Sequence, residues 1–444
     1  MKRLLTLCTV LILAASCRKD GIREDAFSLF NDQNLPTLTL SFSQEEWNRL
    51  LGLYDADSRT KEYVRCDVAL EGGQRNFRIK DAGLRLRGQT SRRRPQSKSG
   101  RMQHFHAGLH LRKFSDSNPD IDGFRRINLK YPKEDPTHIR EHYCYDLLRR
   151  YGVWTAPESS WCKLNLDVGG KNSYYGAYLM TESIDRQYLK KRPGFGSADG
   201  FLWKCAWGAN LRDANERLFH IDENKPDTYP YELKDDNPAL FETAKAQLKD
   251  FITNFNSLQG DIFRNWVNQA LDVELLLRTY AVNVAVGHWD DYWNDMNNFY
   301  IYFNSRDEHK YRMYMIGYDY DNTLGTSHNC GVQHDSGRQD PYKWGLDECP
   351  LISKLLTFSE YRDMYTRFLR ELGAEGNQWF GYDASVSRIR AWQKLIEPHL
   401  PNDTGEDGTL ADRPASWGNH HEYRILEDGP DNWFRVKSSV LQGL

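Results

Sequence analysis

The spacing of apolar residues changes along this chain, and this change constrains the fold more than any other feature. Apolar and polar residues alternate through most of 35–88, which predicts strands. Over 237–286 and 351–397 the apolar residues recur at helical spacing instead. The sequence therefore predicts an α+β protein with a β-rich N-terminal part and a helical C-terminal part.

Local signals place several elements. A short helix is expected after Ser43, because Glu46 stands three residues on, the spacing of a capping box. A second helix is expected over 135–152. Residues 161–184 predict a β-hairpin around a Gly-Gly turn.

The first residues have the pattern of an export signal. A basic start, an apolar stretch over 4–13 and small residues before Cys17 are typical of a secretion signal. Because Cys17 follows Ala-Ala-Ser as in a bacterial lipobox, we expect a signal peptide over 1–17, lipidation of Cys17 and a polar tether over 18–36. The alternative is plain secretion with an unrelated cysteine. The expected location is the cell envelope, at the outer membrane or cell surface.

The composition excludes several classes of protein. Aromatic residues make up 13% of the chain, which excludes disorder as its main state. The net charge of −3 argues against a nucleic-acid partner. Beyond the first residues, no apolar run approaches the roughly 20 residues that span a bilayer. Membrane contact is therefore expected only through the lipid anchor.

Six cysteines remain after Cys8 and Cys17 are set aside. They are Cys66, Cys144, Cys162, Cys205, Cys330 and Cys349. An even number is compatible with disulfides in an oxidising compartment, but isolated buried thiols explain it equally well. None belongs to a CxxC motif, so a zinc ribbon is not expected.

A basic stretch covers 82–115, which contains no Asp or Glu. Its nine cations are Arg85, Arg87, Arg92, Arg93, Arg94, Lys98, Arg101, Arg112 and Lys113. Such a field attracts phosphates or acidic partners, and a mobile phosphate-covering loop is one interpretation. The other is a solvated basic loop.

Two acidic segments could carry chemistry. In the loop over 288–298, Asp290 or Asp291 could act as a base and Asn298 as a metal ligand, although an Asx-turn-rich loop is the alternative. Asp319 and Asp321 follow an apolar strand at positions i and i+2, a spacing that suits a hard divalent cation. This DxDxTL pattern also occurs in haloacid-dehalogenase-type phosphatases, but there it usually opens the domain.

The order of these features matches that of a protein kinase. A basic loop, a strand ending in Lys130, a helix containing Glu141, an Asp/Asn loop and an acidic pair follow one another. Literal HRD and DFG motifs are absent. The order therefore predicts an atypical protein-kinase-like fold.

The chain resembles the CotH kinase family of atypical protein kinases. The matching stretches are 84–91, 128–130, 135–137, 139–141, 175–185, Asp290, 298–302 and 318–325. The resemblance implies a kinase domain over 37–350, with a β-rich entry module over 37–115, and a helical extension over 351–444. It also implies ATP, Mg²⁺ or Mn²⁺, and phosphorylation of Ser or Thr on a protein substrate.

The resemblance also implies roles for individual residues. Lys130 is the candidate phosphate-contacting lysine and Glu141 its helix partner. Asp290 or Asp291 is the candidate catalytic aspartate, with Asn298, Asp319 and Asp321 at the metal. Further cofactor-contact candidates are Arg87, Lys98, Glu182 and Tyr318, where Lys98 competes with Lys130 and Tyr318 replaces a tryptophan of the family.

The expected function is transfer of the γ-phosphoryl group of ATP to Ser or Thr hydroxyls of envelope or surface proteins. ATP should be scarce outside the cytoplasm, so an alternative remains open. In that alternative the fold is a non-catalytic module that binds envelope polymers or proteins.

Overall fold

A computed structural model describes residues 29–132, 135–221, 229–235, 237–326, 335–414 and 423–444. Within these residues helices and strands are mixed, as predicted for an α+β protein. Cys17, the predicted signal peptide and Cys330 lie outside the described residues.

The N-terminal strands form a closed barrel. Its strands are β1 (Thr37–Phe42), β2 (Val64–Glu71), β3 (Phe77–Leu86), β4 (Ala107–His110), β5 (Arg126–Lys130), β6 (Ser159–Val168) and β7 (Lys171–Glu182). Their order around the barrel is β1-β2-β3-β4-β5-β7-β6. Buried and exposed residues alternate along β2, which is why the period-two pattern was visible in the sequence. The barrel extends beyond the entry module expected over 37–115.

The barrel closes through a parallel pair. β1 pairs antiparallel with β2 on one side and parallel with β6 on the other, with Thr37 opposite Lys163. Leu40, Leu84 and Leu164 are fully buried inside.

A second sheet follows the barrel in the chain. Its strands are β8 (Phe201–Cys205), β9 (Phe219–Ile221), β10 (Tyr231–Leu233), β11 (Phe299–Phe303) and β12 (Met313–Gly317). The order across this sheet is β12-β11-β8-β10-β9, and only β9 and β10 run parallel. The catalytic-loop candidate over 288–298 leads into β11, and Asp319 follows β12.

Helices pack against both the barrel and the second sheet, and they dominate the chain after β10. They are α1 (Gln44–Ala56), α2 (Arg140–Arg150), α3 (Arg186–Lys190), α4 (Phe241–Ser257), α5 (Gly260–Ala270), α6 (Val273–Val286), α7 (Tyr292–Asp295), α8 (Pro350–Leu355), α9 (Ser359–Gly373), α10 (Tyr382–Ile396) and α11 (Trp433–Gln442). α6 is buried on nearly every side, because its sequence is apolar throughout. In the part of the chain that the structure describes, none of the helices is both long and apolar enough to cross a bilayer.

Local sequence signals act as predicted. Ser43 caps α1 by accepting a hydrogen bond from the backbone N–H of Glu46. The hairpin of β6 and β7 turns at Gly169 and Gly170, both with positive φ. Five cysteines, all buried, are free thiols in the described residues: Cys66, Cys144, Cys162, Cys205 and Cys349.

Residues 29–36, predicted as part of a tether, pack against the domain instead. Leu29 and Phe30 are buried, and the Phe30 ring meets the Phe124 ring edge-on at 4.9 Å. Asp32 accepts a hydrogen bond from Trp392 Nε1 of α10 at 3.0 Å. Two apolar side chains inside a polar stretch are enough to fix this segment in place.

Candidate functional site

A buried ion cluster lies where the barrel meets α2 and the loop after β12. Lys130 is the last residue of β5, and Glu141 lies in the first turn of α2. The Lys130 ammonium lies 2.5 Å from Glu141 Oε2 and also contacts Asp319 Oδ1. The side chains of Lys130 and Glu141 are 7% and 5% exposed, against 33% for Asp319. The outward-facing member of the cluster is therefore Asp319.

The pKa values of the two carboxylates that share Lys130 shift in opposite directions. Burial raises the pKa of Glu141, although the Lys130 charge opposes this shift. For Asp319, burial is outweighed by Lys130 and Arg87, which lower its pKa to about 2. Burial would lower the pKa of Lys130, but the carboxylates of Asp319, Glu141 and Asp321 raise it well above its usual value. Lys130 and Asp319 are thus charged at neutral pH.

Two further side chains fix the geometry of this cluster. The Tyr145 hydroxyl, one helical turn beyond Glu141, donates to Glu141 Oε1 at 3.0 Å and accepts from the backbone N–H of Asp319. Arg140 is fully buried and donates to the carbonyl oxygens of Thr323 and Arg413, both at 3.0 Å. Because Arg140 lies on α2, these bonds hold that helix against the loop after β12.

The structure separates the roles of Asp290 and Asp291. Asp291 is 2% exposed and caps α7 by accepting from the backbone N–H groups of Trp293 and Asn294. Its other oxygen accepts from Asn283 Nδ2 at 3.1 Å. Asp291 therefore has a structural role as the cap of α7, which leaves Asp290 as the catalytic candidate.

Asp290 faces the other acidic residues. Burial raises its pKa well above the usual value, and the charges of Asp295, Asp319 and Asp321 add to this effect. Asn297 Nδ2 donates to Asp290 Oδ1 at 3.0 Å. A carboxylate with a raised pKa is a stronger base than an ordinary aspartate, which suits a residue that accepts a proton.

Asn298, Asp319 and Asp321 supply hard oxygen atoms, the chemistry that Mg²⁺ and Mn²⁺ prefer. Asn298 and Asp319 have positive φ values of 55° and 62°, a conformation that occurs more often at functional sites. Within the described residues, however, no three His, Cys, Asp or Glu side chains form a ready metal cage. Carboxylates such as those of Asp319 and Asp321 could hold Mg²⁺ together with oxygen ligands from a substrate phosphate and water.

Arg87 and Tyr318 join the barrel to the second sheet. Arg87 donates to the Tyr318 hydroxyl, and its guanidinium carbon lies 5.6 Å from the centre of the Tyr318 ring. Tyr318 is buried, and its ring also meets that of Tyr300 edge-on at 5.6 Å. Arg87 Nη1 is buried without a hydrogen-bond partner in the described residues.

Other predicted residues are not brought into this cluster. Glu182 is fully buried, and its two oxygens accept from Arg192 at 3.1 and 2.6 Å. Arg192 and Lys191 outweigh burial and lower the pKa of Glu182, as in a structural ion pair. Lys98 is exposed on the basic stretch, so Lys130 is the better candidate for the phosphate-contacting lysine.

Three consecutive arginines of the basic stretch form hydrogen bonds with other parts of the protein. Arg93 forms two hydrogen bonds with Glu406, and Arg94 forms two with Asp55. Arg92 donates to three backbone carbonyl oxygens, those of Gly88, Ser58 and Thr60. These arginines therefore do not form the mobile phosphate-covering loop that was one interpretation of the sequence.

Sequence reasoning missed one useful spacing. His288 precedes Asp290 by two residues, so the loop has the His-x-Asp spacing of a kinase catalytic loop without its arginine. The His288 ring is fully buried and lies 4.2 Å from the ring of Tyr320. Burial lowers the pKa of His288 to about 3, so the imidazole is neutral and serves packing.

Comparison with known proteins identifies the family of this chain. The family profile described as "CotH kinase protein" matches residues 84–428. Inner spore coat protein H of Bacillus subtilis is 27% identical over 306 residues, which cover 67% of this chain and 76% of the relative. Invasin CotH7 and invasin CotH3 of Rhizopus delemar are each 22% identical, over 68% and 65% of this chain. These matches span about half of each fungal protein, 48% and 46%.

Proposed function

The chain belongs to the CotH kinase protein family, and we propose that it is an atypical protein kinase that phosphorylates Ser or Thr hydroxyls of envelope or surface proteins. One observation carries the proposal: Lys130 contacts both Glu141 and Asp319. Protein kinases use a strand lysine paired with a helix glutamate, and a later aspartate that holds the metal. In this proposal the barrel and the helical part correspond to the two halves of a kinase-like fold.

In the proposed reaction each residue has a distinct task. ATP with Mg²⁺ or Mn²⁺ supplies the phosphoryl group and neutralises its charge. Lys130, held by Glu141, contacts the nucleotide phosphates, and Asp319 with Asp321 and Asn298 provides the metal-binding oxygens. Asp290 accepts the proton of the acceptor hydroxyl. At the same time the hydroxyl oxygen bonds to the γ-phosphorus, and the bond from the γ-phosphorus to the β–γ bridging oxygen breaks.

We also propose that the protein is exported and anchored through lipidated Cys17, at the outer membrane or cell surface. The export signal in the sequence supports this, as do relatives named as a spore coat protein and as invasins. The substrate is then a protein of the envelope or surface.

A second candidate is a non-catalytic module that binds envelope proteins or polymers. The observation that favours it is that the relatives include fungal proteins named as invasins, which fits a binding role. A haloacid-dehalogenase-type phosphatase has no such support, because the DxD motif lies inside a CotH family match and Asp319 is paired with Lys130.

Thermal unfolding of residues 20–444 with ATP and Mg²⁺ or Mn²⁺ separates the two candidates. A ligand that binds only the folded state raises the melting temperature. We expect a metal-dependent rise that Asp319→Ala abolishes and that Asp363→Ala, an exposed α9 variant, retains. The same proteins are then tested for transfer of label from γ-labelled ATP to an envelope extract. A folded protein that shows no shift with any nucleotide would overturn the kinase proposal and favour the binding module.

A further inference from the structure

Residues 29–36 form an N-terminal strap that connects the barrel to α10. The first two residues of the strap are apolar and belong to the hydrophobic core of the barrel. At its middle, Asp32 accepts the hydrogen bond from Trp392 of α10. At its end, the carbonyl oxygen of Pro36 accepts from the backbone N–H of Lys163 in β6 at 2.8 Å. The strap is therefore attached to the barrel at both ends and to α10 between them.

The strap also meets α2, at His142. The Nε2 atom of His142 lies 3.6 Å from Asp32 Oδ2, and its Nδ1 atom lies 2.8 Å from Ser159 Oγ in β6. The ring is 1% exposed, and its centre lies 4.2 Å from that of Trp161 and 4.5 Å from that of Trp392. His142 is therefore enclosed by β6, α10 and the strap.

Asp32 is the charged group in this contact. The interaction with His142 is the largest of those that lower the pKa of Asp32, so its carboxylate is ionised at neutral pH. Burial lowers the pKa of His142, so its ring is neutral there. Hydrogen bonds to an ionised acceptor are stronger than those between neutral groups. Replacement of Asp32 should therefore loosen the strap while its apolar contacts with the barrel remain.

The strap and the Lys130 cluster hold the same turn of α2. His142 directly follows Glu141, and successive residues of an α-helix point about 100° apart. On one side of this turn Glu141 lies 2.5 Å from the Lys130 ammonium, and on the other His142 contacts the strap. A shift of this turn that breaks the contact with the strap would therefore also change the distance between Glu141 and Lys130.

We propose that Asp32 is a positioning residue for the Lys130 cluster: through His142, the N-terminal strap holds α2 where Glu141 reaches Lys130. Loss of the Asp32 contact then weakens nucleotide binding, although Asp32 itself does not touch the nucleotide. This inference rests on the proposed function for the identity of the ligand as ATP. The position of α2, however, can be followed without any ligand.

Calorimetric titration of residues 20–444 with ATP and Mg²⁺ tests the effect on binding. We expect Asp32→Ala to weaken ATP binding about tenfold. Asp32→Asn keeps an acceptor for the Trp392 donor and should retain most of the affinity. Asp250→Ala on α4 is the matched control, because Asp250 also bonds to a histidine and an aromatic side chain, His309 at 3.0 Å and Tyr311 at 2.7 Å. This control should bind ATP as the parent protein does.

Hydrogen exchange without ligand tests the effect on α2. The probe is the backbone N–H of Tyr143, which donates to Ile139 O at 2.8 Å in the first turn. We expect this amide to exchange faster in Asp32→Ala than in the parent protein, and at the parent rate in Asp250→Ala.

The two measurements separate this inference from the proposed function. If the parent protein binds ATP, an Asp32→Ala variant with parent affinity, or with the same loss as Asp250→Ala, overturns the inference and leaves the kinase proposal standing. Weaker ATP binding with unchanged exchange at Tyr143 also overturns it, because α2 would not be the link. If the parent protein does not bind ATP, the kinase proposal falls and exchange alone decides: faster exchange at Tyr143 in Asp32→Ala supports the positioning role, and an unchanged rate overturns it.

Discussion

The hydroxyl of Tyr145 accepts a hydrogen bond from the backbone N–H of Asp319 at 3.2 Å. Asp319 has a φ of 62°, a conformation that a residue with a Cβ adopts at a cost in free energy. The same hydroxyl donates to Glu141, so one phenol links α2 to the loop that carries the candidate metal-binding aspartate. The orientation of Asp319 thus depends on a residue outside every acidic motif.

Replacement of Tyr145 tests this link. Tyr145→Phe keeps the ring and removes both hydrogen bonds, so we expect a loss of about 1–3 kcal/mol in the free energy of unfolding. ATP should also bind about tenfold more weakly, because Asp319 is less well held. Tyr174→Phe is the matched control. The Tyr174 hydroxyl donates to His399 O at 2.8 Å, and neither residue belongs to the Lys130 cluster. Equal ATP affinity in the two variants would show that Tyr145 has only a structural role.

Substitutions of the neighbouring residues Asp290 and Asp291 should have different effects, one on activity and the other on stability. Asp291→Ala removes the cap of α7 and the partner of Asn283, so it should lower the free energy of unfolding by about 2 kcal/mol or more. Asp290→Asn should abolish phosphoryl transfer and leave stability nearly unchanged, because burial and the neighbouring carboxylates already disfavour the Asp290 charge. Urea unfolding and label transfer, measured on both variants, check the pair. An inactive but fully stable Asp291→Ala would reverse the assignment.

The buried pair of Glu182 and Arg192 gives a stability prediction. Both side chains are fully buried, so Glu182→Ala leaves the Arg192 charge buried without this carboxylate and should cost about 3–5 kcal/mol. The double variant with Arg192→Met should recover part of this loss. Under conditions where the variants fold, ATP affinity should equal that of the parent protein. A weaker affinity for ATP would show instead that Glu182 is a cofactor contact.

Lys437 should make stability rise with pH. It is fully buried on α11, its ammonium donates to Ser336 O at 2.7 Å, and burial lowers its pKa to about 7. In the unfolded chain the lysine pKa is near 10.5, so between pH 7 and 10.5 the unfolded state binds more protons than the folded state. Stability from this group therefore increases across that window, by at most about 1.4 kcal/mol per pH unit.

The comparison with Lys437→Met isolates this effect. The free energy of unfolding of the parent protein, minus that of the variant, should grow from pH 7 to pH 10. Lys394→Met, on the exposed side of α10, should show no such trend. A constant difference across this range would mean that the lysine remains charged inside the protein.

The sequence predicted those parts of the site that depend on local order. Lys130, Glu141 and Asp319 lie at or within two residues of the ends of regular elements, and their order along the chain was enough to associate them. The sequence could not show which of Asp290 and Asp291 is the catalytic candidate. The two adjacent carboxylates are distinguished by the fold, because Asp291 accepts the hydrogen bonds from the backbone of α7. Glu182 lies within a matching stretch, but its partner Arg192 is in a separate loop.

Non-local contacts account for the rest. The closed barrel could not be predicted, because alternation marks strands but does not say which strands pair. The cations around Glu232 come from β8, the residue after β10 and the segment before β2, so no single stretch of sequence contains them. Tyr145 could have been found, because it stands four residues after Glu141 on a predicted helix.

The parallel seam of the barrel sets an order of events in folding. β1 is synthesised first, yet one of its two partners is β6, and Lys163 donates from its backbone to Pro36 O only after α2 and the intervening strands exist. Contacts between such distant segments form slowly, because closing a long loop of chain costs conformational entropy before the contact is made. Until then an apolar strand edge is open to other chains, which makes the nascent protein prone to aggregation. Expression with a chaperone that delays premature pairing should therefore raise the yield of folded protein.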